Sequence, residues 1–234
     1  GRDLVKEGHI ELLGLLESID TKSVNAEGAC RIDRLRGEVL ALLGRFDEAE
    51  EAFNQARPPA EAAGLKDVIA DILSNLADIA LKRGDSESSL GMHRKALELF
   101  IELKDAVGAA RSYNNMGYIL RRSGDNTKAL DAYSEVESIL SEDKSKSLIP
   151  AQIVLARALL DLGHQDRARD HALSAYEQSE NSDDTILHAR ARAVLGRYYA
   201  KTGDSDLALH HYTDALETMG EACLLHTSDA ADEE

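Results

Sequence analysis

Apolar and small residues recur along the chain in pairs of helical stripes, each pair hinged on a glycine. The hinges are Gly44, Gly84, Gly124, Gly163 and Gly203, at intervals of 40, 40, 39 and 40 residues. Upstream, offsets −8 and −4 read Arg36/Leu40, Leu76/Ala80, Met116/Leu120, Leu155/Leu159 and Leu195/Tyr199. Downstream, offset +5 carries Ala49, Ser89, Ala129, Ala168 and Ala208, and offset +9 carries Phe53, His93, Tyr133, Ala172 and Tyr212. Offset +12 completes that stripe with Ala56, Ala96, Val136, Ala175 and Ala215. Steps of four and three put each set on one helix face, so every unit is predicted to be helix, turn, helix. A fixed period of this size marks an array of stacked supersecondary units.

Finer positions support the same reading. Offset −7 is small throughout, as Gly37, Ala77, Gly117, Ala156 and Gly196, so paired helices can approach closely there, while the +9 ring is expected to fill space towards the following unit. The hinge glycines suit a left-handed C′ position, and Asp85, Asp125 and Asp204 follow as N-caps. First helices are predicted near 29–43, 67–83, 107–123, 148–162 and 184–202, and second helices near 47–57, 86–103, 126–140, 165–178 and 205–219. The stretches PPAEAAGLKD, SEDKSKSL and SENSDD read as polar or Pro-bearing links.

This pattern resembles the tetratricopeptide repeat, over about 29–219. The departures are a unit longer than the family's usual length of about 34 residues, one retained first-helix aromatic, Tyr113, and no recurring helix-ending Pro. The resemblance implies an all-α fold, an α-solenoid of helix-turn-helix units in a right-handed superhelix. Its expected divisions are a partial repeat over 1–28 holding a second helix only, repeats over 29–66, 67–105, 106–146, 147–182 and 183–220, and a tail over 221–234. The terminal CLLHTSDAADE leaves the period and resembles a translated sequencing-library adapter, so that tail is expected to be non-native or disordered, in a fragment cut mid-repeat.

Composition narrows the function classes. Ala, Leu, Glu, Asp and Arg dominate, aromatic residues make up 4%, and Trp is absent, a bias towards helix. The net charge of −16 argues against generic binding to nucleic acid or anionic membrane. No apolar run reaches the roughly 18 residues of a membrane span and no signal-peptide pattern opens the chain, so a cytoplasmic location is expected. Cys30 and Cys223 form neither a disulfide framework nor metal-type spacing. No HExxH, GxSxG or phosphate loop is present; His93 stands on the bulky stripe as a packed histidine, and adjacent His210 and His211 diverge by about 100°. The expectation is no enzyme, no cofactor, no catalytic residue and no metal ligand.

Binding is expected on the first helices. The face taken at offsets −13, −10, −6, −3 and −2 carries a net charge of +6, which leaves −22 for the remainder. Its densest part holds Arg111, Asn114, Tyr118, Arg121, Arg122, Arg157, Arg190, Arg197 and Lys201. Guanidinium groups pair bidentately with carboxylates, Asn can bond a peptide backbone and Tyr offers a flat anchor. The chain is therefore expected to be a protein–protein interaction scaffold that takes an acidic peptide or acidic partner surface in a basic concave groove. The competing expectation is that these cations pair with carboxylates of neighbouring helices at 0–1 kcal/mol each. An alternative function is the sensory arm of a larger bacterial signalling protein, because arrays of this longer repeat resemble those fused to diguanylate cyclases, histidine kinases and transcriptional activators.

Overall fold

A computed structural model of the chain describes residues 2–143, 145–180, 182 and 184–229. Among these residues the chain is helical, with no strand. The helices are α1 (Arg2–Ser18), α2 (Ala26–Leu42), α3 (Phe46–Ala62), α4 (Lys66–Lys82), α5 (Ser86–Leu103), α6 (Ala106–Arg122), α7 (Asn126–Glu142), α8 (Ile149–Asp161), α9 (Gln165–Glu180), α10 (Thr185–Thr202) and α11 (Ser205–Asp229). They fall into two compact units, residues 1–119 and 120–234, each described by itself.

The predicted hinges are the turns inside the hairpins. At the first, Gly44 takes φ +77°, the Gly44 amide bonds the Ala41 carbonyl at 3.0 Å and the Arg45 amide bonds the Leu40 carbonyl at 2.9 Å. This paired closure satisfies two carbonyls that the ending helix leaves orphaned, and only a residue at ease with positive φ closes it without strain. The next helix is then capped: Asp85, Asp125 and Asp204 accept the amides of Ser88, Lys128 and Leu207 at 3.0, 3.2 and 3.1 Å.

One predicted link is instead helix. α3 runs through Pro58 and Pro59 to Ala62 and α4 begins at Lys66, so only Ala63, Gly64 and Leu65 of PPAEAAGLKD form a turn. Proline removes amide donors from the interior ladder, but Phe53, Ala56 and Ala60 on the same helix are fully buried and their packing holds the helix on course. The turn that follows repeats the hinge geometry at Gly64, φ +67°, with the Leu65 amide on the Ala60 carbonyl at 3.0 Å. Lys104 closes α5 the same way at φ 57°. α11 also continues past the predicted 205–219 to Asp229. Residues 230–234 of the expected tail lie outside the described residues.

In the first unit, Leu13 and Leu16 of α1, Cys30, Val39 and Leu40 of α2, Phe53 of α3 and Val68, Ile72 and Leu76 of α4 form one core. Each such side chain, fully buried, contributes about 1.5–3 kcal/mol of hydrophobic stabilisation. The +9 ring serves its own hairpin as well as the next: a Cβ on Gly37 would stand 2.6 Å from Phe53 Cε1, so the glycine at −7 is the seat of the ring. In the second unit, Ile149, Ile153 and Ala156 of α8, Ala172 and Ala175 of α9 and Ala191, Val194 and Leu195 of α10 make the corresponding core. There the +9 residue of α9 is Ala172, a smaller knob on a helix pair already lined with alanine.

Candidate functional site

The first helices carry a ladder of ion pairs. In the first unit, Arg31 donates to Asp67 at 2.8 Å, and Arg34 stands 3.4 Å from Asp71 while also pairing with Glu38. Arg111 donates to the other oxygen of Asp71 at 3.1 Å and lies 5.5 Å from the centre of the Phe100 ring. Asn75 donates to Glu38 at 3.3 Å and Asn115 to Asp78 at 3.1 Å. Apart from Arg34 with Glu38 inside α2 and Arg111 over Phe100 of α5, the partners sit about one repeat apart in sequence, so these contacts tie one first helix to the next. Arg31, Arg34 and Arg111 thus pair with carboxylates of neighbouring helices, as the competing expectation has it.

Two further first-unit positions differ from expectation or sit at its edge. Asn114 is buried, at 3% exposure, so it is not part of an open wall. The reason is geometric: offset −10 lies three residues from the crossing position −7, about 60° away around the helix, on the shoulder of the packed face. Ser74 and Ile153, at the same offset, are buried as well. Tyr118 is 36% exposed. A pocket on the first helices of this unit, about 430 Å³, is lined by Glu38, Asn75, Asp78, Lys82 and Arg111 with Ala41, Leu42, Phe46 and Ile79, and so mixes both signs of charge. His93 is fully buried as expected, with Nε2 3.4 Å from Asp78 Oδ1.

On the first helices of the second unit two arginines share one acid. Asp161 accepts a bond from Arg197 at 2.6 Å and stands 3.7 Å from Arg121. Arg122 and Lys201 are exposed. Arg157, Arg190 and Arg197 come together on a pocket of about 300 Å³, with Ile153, Val154, Ala193, Val194 and Tyr212 supplying its apolar walls. Among the described residues no carboxylate lines it. Buried Tyr133 of this unit has its phenol pushed up by burial, opposed by the nearby positive charge of Arg121.

The structure therefore splits the expected cluster. Arg157, Arg190 and Arg197 converge; Arg111 and Arg121 serve ion pairs, and Asn114 is in the packed layer. Val154 and Val194 were not legible as wall residues, although a signal existed: they share offset −9 with Asn75, which lines the first unit's pocket. Behind the wall, Arg167 donates to both oxygens of Glu137 at 2.9 and 2.5 Å, and His171 Nε2 lies 3.0 Å from the same carboxylate. Burial would raise the Glu137 pKa, but the bonds from Arg167 and His171 outweigh it and hold the group below the usual range. Among the described residues no group of three or more His, Cys, Asp or Glu side chains is placed to hold a metal ion, and no helix is long and apolar enough to cross a membrane.

Comparison with known proteins agrees with this architecture. Tetratricopeptide repeat profiles match residues 28–100, 68–142, 149–173 and 189–212. Human outer dynein arm-docking complex subunit 4 is 22% identical over 170 residues, covering 73% of this chain and 25% of that protein. The mouse protein of the same name is likewise 22% identical, with 26% of it covered. The chain thus spans about a quarter of the length of these curated relatives. Among solved structures, BtubC (BKLC) from P. vanneervenii superposes with a TM-score of 0.66 at 17% identity, covering 94% of this chain and 90% of that one. A Podosopora anserina putative kinesin light chain with nearly identical TPR-like repeats gives 0.62 at 14% identity, covering 85% and 98%. The chain belongs to the tetratricopeptide repeat family, and its array of hairpins is a protein–protein interaction scaffold.

Proposed function

We propose that the scaffold takes an acidic segment of a protein partner on the first helices of its second unit. One observation carries the reading: Arg157, Arg190 and Arg197 converge on a pocket with apolar walls and, among the described residues, no lining carboxylate, in a chain whose 43 acidic residues outnumber its 27 basic ones. An extended acidic segment would place a carboxylate between these guanidinium groups, which grip it in a bidentate fork. Its neighbouring side chains would rest on Ile153, Val154 and Tyr212. The strongly negative remainder repels the same ligand, so binding is confined to this wall and weakens with salt.

The test is fluorescence anisotropy with a labelled peptide of alternating Glu and Ala. Wild-type protein is expected to bind it with an affinity that falls steeply as salt rises, and the R157E/R190E double variant is expected to lose that binding. Equal affinity and equal salt dependence in the two proteins would overturn the reading.

A further inference from the structure

The charge balance of the second unit's pocket points to a particular anion, an inference that rests on the reading just given. Of the three arginines on the pocket, only Arg197 has a carboxylate partner, Asp161. Among the described residues neither Arg157 nor Arg190 has an acidic partner. Arg197 Nε is, in addition, buried and makes no hydrogen bond. One carboxylate entering this space would still leave a guanidinium uncompensated.

The chain's own repeats show that this is not what the position requires. Offset −6 is acidic in the first two repeats, Glu38 and Asp78, where each acid takes a bond from an asparagine of the next first helix. At the same offset the last two repeats carry Arg157 and Arg197. The fold accepts either sign there, and offset −13 likewise carries Asp71 in the second repeat and Arg190 in the fifth, so Arg157 and Arg190 are not needed to build the hairpins.

We infer that the pocket accepts a phosphoserine or phosphothreonine side chain within the acidic segment. A phosphoryl monoester carries a charge of about −1.5 to −2 near neutral pH and offers three strong acceptor oxygens. It would meet Arg157 and Arg190 together and satisfy the buried Nε–H of Arg197. The pocket volume of about 300 Å³ gives it room, and Ile153, Val154, Ala193 and Val194 would pack its carbon stem.

Three peptides of one sequence decide it: Glu and Ala flanks around a central phosphoserine, glutamate or serine, titrated into the full chain, with inorganic phosphate as a separate arm. The phosphoserine peptide is expected to bind about tenfold or more tightly than the glutamate peptide, since its second charge meets a second guanidinium. R157Q/R190Q is expected to erase that preference while circular dichroism stays that of the wild type. Equal binding of the phosphoserine and glutamate peptides overturns this inference and leaves the acidic-segment reading standing. Failure of all three peptides to bind overturns both. A preference that survives R157Q/R190Q, or inorganic phosphate binding as tightly as the peptide, overturns the assignment of a phosphorylated side chain to this pocket.

Discussion

The two units use the same helical register for opposite electrostatic ends. In residues 1–119 the first helices close their charges on each other: Arg31 on Asp67, Arg34 on Glu38 and Asp71, Arg111 on Asp71. In residues 120–234 Asp161 serves both Arg121 and Arg197, Arg192 pairs with Asp214, and among the described residues Arg157 and Arg190 have no acidic partner. The first pattern is a set of half-exposed pairs of modest worth, about 0–1 kcal/mol each, whose collective effect is to define how neighbouring repeats align. The second keeps positive charge facing a pocket. What separates the two units electrostatically is thus the number of acids at the repeat positions facing the arginines.

The comparison can be broken or sharpened in four ways, beginning with packing. Phe53→Ala empties the seat beneath Gly37 and is expected to destabilise the chain by about 3–5 kcal/mol in urea unfolding. The equivalent Tyr212→Ala, at a ring 37% exposed, should cost about 1–2 kcal/mol by its smaller buried area. Equal losses would show that the two hairpins are packed alike.

Next is the charge reversal R157E/R190E, expected to weaken the acidic peptide by about a hundredfold or more, each lost charge-assisted bond being worth at least a factor of ten. Reversal of Arg31 and Arg34 in the first unit should leave peptide affinity unchanged within about twofold, because those charges are already neutralised by Asp67, Glu38 and Asp71.

A subtler contrast comes from the two shared acids. Asp161→Asn releases Arg197 towards the pocket and should raise affinity for the acidic peptide about threefold to tenfold at a stability cost of about 1 kcal/mol. Asp71→Asn should cost about as much stability with no gain in affinity. An Asp161→Asn variant that binds no better would place Arg197 outside the ligand's reach.

The smallest effect concerns pH. His188 is held below its ordinary pKa by burial and then by Arg192, and His211 by burial, by His210 and by Arg192. His188 Nδ1 lies 3.0 Å from Ser179 Oγ, and the His211 ring stacks on Tyr199 at 5.3 Å. Because the folded values are depressed, the unfolded chain binds these protons first. Stability is therefore complete above the unfolded value of about 6.5 and declines as pH falls below it towards the folded values. The melting temperature should drop by a few degrees between pH 7 and pH 5, and His211→Phe, which keeps a ring against Tyr199, should flatten that drop. A melting temperature that rises on acidification would contradict the assignment.

Much of this molecule was legible from local pattern. Gly44, Gly84, Gly124, Gly163 and Gly203 all adopt positive φ, since a helix that reverses in a few residues needs a left-handed closure and glycine supplies it most easily. The caps at Asp85, Asp125 and Asp204 were legible for the same reason. Pro58 and Pro59 misled, because their local cost was outweighed by burial of Ala60 and its neighbours, which depends on α4. Lys104 could not be anticipated as a turn residue, since nothing about lysine favours the left-handed region.

The amino-acid sequence by itself determined the repeat, its hinges, the two faces of each helix and hence the family, all of which follow from contacts within a few turns of one helix. Only the tertiary structure decided which arginines meet a carboxylate. An ion pair such as Arg111 with Asp71 or Arg197 with Asp161 joins residues a full repeat apart, and whether two long side chains meet depends on how hairpins stack to within an ångström or so. Periodicity places residues on a face; the Coulomb and hydrogen-bond energies that neutralise them act over a few ångströms, a distance that only packed helices set.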